Sequence, residues 1–158
     1  MAAHDTTTHS PGADLNRLAV SATFHCLTGC AIGEVTGMTI GTALGWGDLE
    51  TIALAVGLAF LFGYSLTSLP LVRAGLALSA IVPIALATDT VSIAIMEAID
   101  NLTMVLIPGA MEAGLDDALL WGTLAGGFAI AFPFAFLANR YLLARGKGHA
   151  LVHEYHHH

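Results

Sequence analysis

Charge is what this chain lacks. Only 11% of its 158 residues are Asp, Glu, Lys or Arg, while 56% are apolar. Soluble domains carry roughly 25% charged residues, and a water-facing surface cannot be covered with so few. Basic residues are scarcest of all, 5 against 12 acidic ones. No basic stripe exists to neutralise phosphates, which excludes a nucleic-acid partner. Cysteine is nearly absent too: the two present sit inside an apolar span, so no disulfide framework can be read from them. Three further features are missing. No basic stretch leads into a short apolar core with a cleavage site, so no cleavable signal peptide is expected. No repeat of 20–50 residues is visible. Neither a P-loop nor a DKTG-like phosphorylation segment occurs, so transport driven directly by ATP is not expected.

What remains is four apolar stretches. The first is expected from about Leu15 to Gly45, with Asp14 as its cap, and is long enough to cross ~30 Å of hydrocarbon. A Gly45-Trp46-Gly47-Asp48 turn leads to the second, about Leu49 to Leu69, whose far end Pro70 and Arg73 mark. The third runs from near Leu76 to Ile107, where Pro108-Gly109 stops it; Pro83 is expected to kink or divide it. The fourth runs from about Ala118 to Leu143 and tolerates Pro133 as membrane helices do. The fold class is therefore all-α, a polytopic membrane protein of four transmembrane helices. Residues 1–14 read as a mobile tail, 15–145 as the membrane domain and 146–158 as a His-rich tail. With four crossings, Arg17, Arg73, Arg140, Arg145 and Lys147 fall on one side, and Asp48, Glu50, Glu112, Asp116 and Asp117 on the other. The positive-inside bias makes the first side cytoplasmic, with both termini there.

The stretch HCLTGCAIGEVTGMTIGTALG, from His25 to Gly45, carries the chemistry. Residues four apart share a line on a helix. Cys26, Cys30, Glu34 and Met38 form one such line; Gly29, Gly33, Gly37, Gly41 and Gly45 form its neighbour. Repeated small residues at this spacing are a packing face in lipid, and its partner is either another span or the same helix of a second copy. Because so short a chain would hardly enclose a pathway alone, a homo-oligomer through this glycine face is expected.

Ionisable groups inside a membrane are costly and mark function. Here they are Glu34 on the first span and Asp89, Glu97 and Asp100 on the third; Met96 and Met104 share the acidic face. The first and third spans run in the same direction, so Cys30 is expected at the depth of Asp89 and Met38 near Glu97. Thiols one helical turn apart are poorly placed for a disulfide, but with thioethers they suit Cu(I) or another soft ion. His25, Cys26, Cys30, Glu34, Met38, Asp89, Met96, Glu97, Asp100 and Met104 are thus candidate metal ligands. His153 and His156 join them from the tails, which hold seven of the eight histidines. Thioethers outside, thiols within and imidazoles beyond would suit stepwise hand-over of a soft ion, with a cytoplasmic metal chaperone as partner. The arrangement is similar, by analogy, to that of high-affinity copper uptake proteins. Passage of a hard ion or protons, with the thiols incidental, is a second possibility. A quinone-linked thiol oxidoreductase and a haem carrier are weaker, for want of a C-x-x-C pair and of a second intramembrane histidine.

At HCLTGCAIGEVTGM, and again at ATDTVSIAIMEAIDN, PGAMEAGL and NRYLLARGKGHALVH, the chain resembles the bacterial membrane proteins of domain-of-unknown-function family 4396. The resemblance implies a small four-helix protein of the bacterial inner membrane, associated with copper or heavy-metal handling. It supplies no activity, and enzymatic function is not expected.

Overall fold

The computed structural model describes the backbone of residues 11–73, 75 and 77–154, with side chains over 12–69, 72–73, 75, 77–79, 82–83 and 86–145. Four helices follow one another: α1 Pro11–Leu44, α2 Asp48–Arg73, α3 Leu78–Leu106 and α4 Ala118–Glu154. No strand occurs among the described residues.

The helix ends follow local chemistry. α1 is already helical at Pro11, the first described residue, so Asp14 lies within it. Asp14 is therefore not the cap expected of it. Gly45 ends α1 at φ 66°, where Gly45 N–H donates to Thr42 O at 3.2 Å and Trp46 N–H to Gly41 O at 2.9 Å. A left-handed residue just past the last turn is what closes such an end. At Ile107-Pro108-Gly109-Ala110, Gly109 has φ 82° and Ala110 N–H donates to Ile107 O at 3.1 Å, a type II turn with proline and glycine where that turn wants them. Asp117 Oδ1 accepts from Leu119 N–H at 2.8 Å and caps α4. Two ends lie beyond expectation: α2 runs on to Arg73, and α4 continues to Glu154, through much of the stretch read as a tail. Pro83 sits inside α3 without dividing it.

Three helical segments, Gly12–Leu44, Asp48–Leu69 and Ala118–Arg145, are long and apolar enough to cross a membrane. In α3 the long described stretch, residues 86–106, carries three acidic residues, Asp89, Glu97 and Asp100. The molecule is inverted relative to a soluble bundle. Phe24, Leu49, Leu61, Leu102, Val105, Ile130, Phe134 and Leu137 are exposed, whereas Glu34, Asp89, Glu97, Asp100 and Asn139 are buried. Exposed apolar surface on this scale marks contact with something other than water.

α1 and α3 occupy the shorter diagonal of the bundle, each touching the other three helices, while α2 and α4 do not meet among the described residues. The α1–α2 seam explains the glycine line. Gly29, Gly33, Gly37 and Gly41 lie opposite Gly63, Ala59, Ala55 and Thr51, an antiparallel ladder of small residues four apart on both helices. A Cβ on Gly33 would collide with the Ala59 backbone, and one on Gly29 would fall 2.5 Å from Gly63 Cα. Of the two partners this face allowed, another span or a second copy, α2 of the same chain lies against it. Gly45 is also removed from the line, because it terminates α1 and nothing lies within 4 Å of its would-be Cβ.

Candidate functional site: a buried thiol and carboxyl column

The face of α1 beside the glycine line meets α3, and the two acidic faces come together as expected. Cys26, Cys30, Asp89, Met96 and Asp100 are fully buried; Glu34, Glu97 and Met104 are nearly so. Cys26 Sγ donates to Asp89 Oδ1 at 3.7 Å. Cys30 lies against Glu97, and Glu34 against Asp100. The order 26, 30, 34 on α1 thus matches 89, 97, 100 on α3, and the two helices run parallel. The expected register is off by one to two turns: Cys26, not Cys30, stands level with Asp89, Cys30 lies against Glu97, and Met38 packs near Met104 rather than Glu97.

Met96 joins the two cysteines in one buried cluster with Ile93 and Ala59. Both thiols are free. His25 is half-buried and points elsewhere, its Nδ1 donating to Ser21 O at 2.7 Å, though it remains in electrostatic reach of Asp89. Among the described residues no three of His, Cys, Asp or Glu converge on one point that would hold an ion. The donors are instead in successive pairs, because a straight helix strings them along a line and each finds its own carboxyl opposite. His153 and His156 lie outside the residues whose side chains are described.

The carboxyls are under-satisfied. Glu34 Oε2, Asp89 Oδ2, Glu97 Oε1 and both oxygens of Asp100 are buried without a hydrogen-bond partner. Some relief is local: Thr88 Oγ1 donates to Asp89 Oδ1 at 3.3 Å, and Asn101 Nδ2 to Glu97 Oε2 at 3.3 Å. An unpaired buried polar oxygen costs ~1–3 kcal/mol, more when charged. Such oxygens are tolerated where a proton, water or cation visits them. Two thiols and a thioether are soft donors and the orphaned carboxylate oxygens hard ones; here they stand in successive pairs rather than in one cluster.

Two residues of α4 complete the column and escaped the sequence reading. Asn139, fully buried, donates through Nδ2 to Thr23 Oγ1 and Ser92 Oγ, both at 3.0 Å, tying α1, α3 and α4 together one turn beyond Cys26. Gly127 sits where a Cβ would strike Asp100 Oδ1. A polar amide inside the fourth apolar run was the available signal for Asn139, masked by its neighbour Arg140.

A family model described as Domain of unknown function (DUF4396) matches residues 16–148. No curated protein and no solved structure matches the chain.

Proposed function

The chain belongs to the DUF4396 family, and from its interior chemistry we propose a four-crossing plasma-membrane protein that binds or passes a soft monovalent cation of the Cu(I) type. The observation that carries this reading is the column itself. Two free thiols and a thioether share the bundle interior with four carboxyls that lack full hydrogen bonding. A bundle built only for packing would not retain groups so expensive in hydrocarbon.

The fourth crossing is α3. Its 29 residues give roughly 43 Å of helix at ~1.5 Å per residue. Its acids face inward, while Val91, Leu102, Val105 and Leu106 face out. Arg140 Nε donates to Asn16 Oδ1 at 2.6 Å, bringing the start of α1 and the far part of α4 to one end of the bundle. That end carries Arg17 and Arg145 as well, and is the cytoplasmic one by the positive-inside bias. Any second copy docks away from the glycine seam.

Passage of protons or a hard cation is the second reading, and Asp100, with neither oxygen partnered, favours it. Thiol redox chemistry and haem binding gain no comparable support. Anaerobic titration of the purified chain with Cu(I), beside Cys26→Ser/Cys30→Ser, separates the two readings. Soft-ion binding predicts loss of the tightest equivalent in the double variant. Unchanged stoichiometry and affinity there would sink the thiol assignment, and proton flux retained by cysteine-free protein in liposomes would install the second reading.

A further inference from the structure

At the end of the bundle opposite Asn16 and Arg140 lies a cavity of about 340 Å³. Met38 of α1, Met104 of α3 and Met111 of the 107–117 loop all line it. These three belong to one packed cluster, with Met104 buried and the other two half-buried against it. Glu34, the first carboxyl of the column, lines the same cavity, and its Oε2 is buried without a partner. Asp48 and Glu112 contribute carboxyls near the mouth.

We propose that this vestibule is a loading site for a soft monovalent cation, bound by the thioethers of Met38, Met104 and Met111 before it reaches Glu34 and the thiols below. The inference rests on the soft-cation reading of the column and adds where the ion enters and what selects it. Thioether sulfur is neutral and polarisable, so it takes Cu(I) or Ag(I) and ignores hard ions such as Mg²⁺ or Ca²⁺. Being uncharged, it also lets the ion go, which passage requires of every stop on a path. Methionine is otherwise a filler of irregular core gaps. Here the space beside three of them is open rather than filled, and a carboxyl with a vacant oxygen lines it. Acidic groups at the mouth raise the local concentration of any cation; the sulfurs then discriminate among those that arrive.

Silver(I), which needs no reductant, is the probe. Calorimetric titration of the full chain in detergent is compared for wild type, Met38→Leu/Met104→Leu/Met111→Leu and Cys26→Ser/Cys30→Ser. The methionine variant should lose one silver equivalent, or bind it at least tenfold more weakly, while keeping the thiol-bound silver. The cysteine variant should show the reverse. Unchanged silver binding in the methionine variant overturns the vestibule alone; wild type that binds no silver overturns both this proposal and the column reading. Should the triple variant not fold, selenomethionine-labelled Met96→Leu decides by X-ray absorption at selenium. A silver neighbour at bonding distance supports the site, and carbon neighbours alone overturn it.

Discussion

α1 makes two seams that differ in almost every respect. Toward α2 it offers glycines: backbones touch at Gly29/Gly63, Gly33/Ala59 and Gly37/Ala55, and Gly41 meets the Thr51 side chain. Toward α3 it offers Cys26, Cys30 and Glu34, and meets three carboxyls whose oxygens are incompletely bonded. The first seam gains dispersion and close approach with no polar group to satisfy, which is how helices associate in lipid. The second does the opposite, placing costly groups where only a visiting cation or proton answers them. One helix thus separates its duties by roughly a quarter turn: one line holds the bundle, the adjacent line holds the chemistry. The close seam is also what allows the second, since a helix anchored on one side can tolerate an unsatisfied face on another.

If the α2 seam is the structural one, damage there should produce the largest effect. Gly33→Leu places a branched side chain against the Ala59 backbone, which cannot rotate away. We expect a loss of about 3 kcal/mol, the upper part of the overpacking range, read as a fall in thermal midpoint and loss of monodisperse protein in detergent. Normal stability would show that the seam is looser than its geometry implies. Damage to the chemical seam should be smaller in stability and visible in binding. Gly127→Ala brings a methyl group onto Asp100, with its carboxyl carbon at 3.0 Å and its Cα at 3.1 Å from the new atom. The carboxyl can swing but the Cα cannot, so about 1–2 kcal/mol is expected. Asp100 would be displaced toward Glu34, and silver or copper affinity should change alongside. A variant equal to wild type in both measurements would mean that Asp100 has room and the column is not tightly set.

Much of this division can be read from the sequence, and the rest fails for identifiable reasons. The glycine and thiol lines, the four apolar runs and the acidic face of α3 follow from period and composition. The turn residues at Gly45–Asp48 and Pro108–Gly109 give the breaks correctly because their backbone demands are local. The glycine line by itself leaves its partner open between another span and a second copy, although its complement is in view: Thr51, Ala55, Ala59 and Gly63 repeat at the same step of four. A stripe of small residues shows less plainly than one of glycine, since alanine is common everywhere in apolar helices. Register between α1 and α3 is off by one to two turns because helix length alone cannot fix relative depth; side-chain pairing does. Met111 lay in a loop read only for its acids, and only the closing of that loop over Met38 and Met104 gives it neighbours.

The smallest expected effect is the sharpest control. Gly57 lies on α2 between Ala55 and Ala59 in sequence, yet it faces away from α1, and nothing lies within 4 Å of a Cβ built on it. If glycine matters here only where helices pack closely, Gly57→Ala should leave the stability within about 0.5 kcal/mol of wild type, as surface changes generally do, with a thermal midpoint close to that of wild type. A small gain is also consistent, since alanine is the better helix former by up to ~1 kcal/mol. A second copy of the chain docked on this face would reverse the sign, because the added methyl group would then meet a neighbour. Midpoints measured across a wide range of detergent-to-protein ratios separate these outcomes: a dilution-independent null confines the glycine requirement to the α1–α2 seam, and a destabilisation that vanishes on dilution locates the oligomer contact on the outer face of α2.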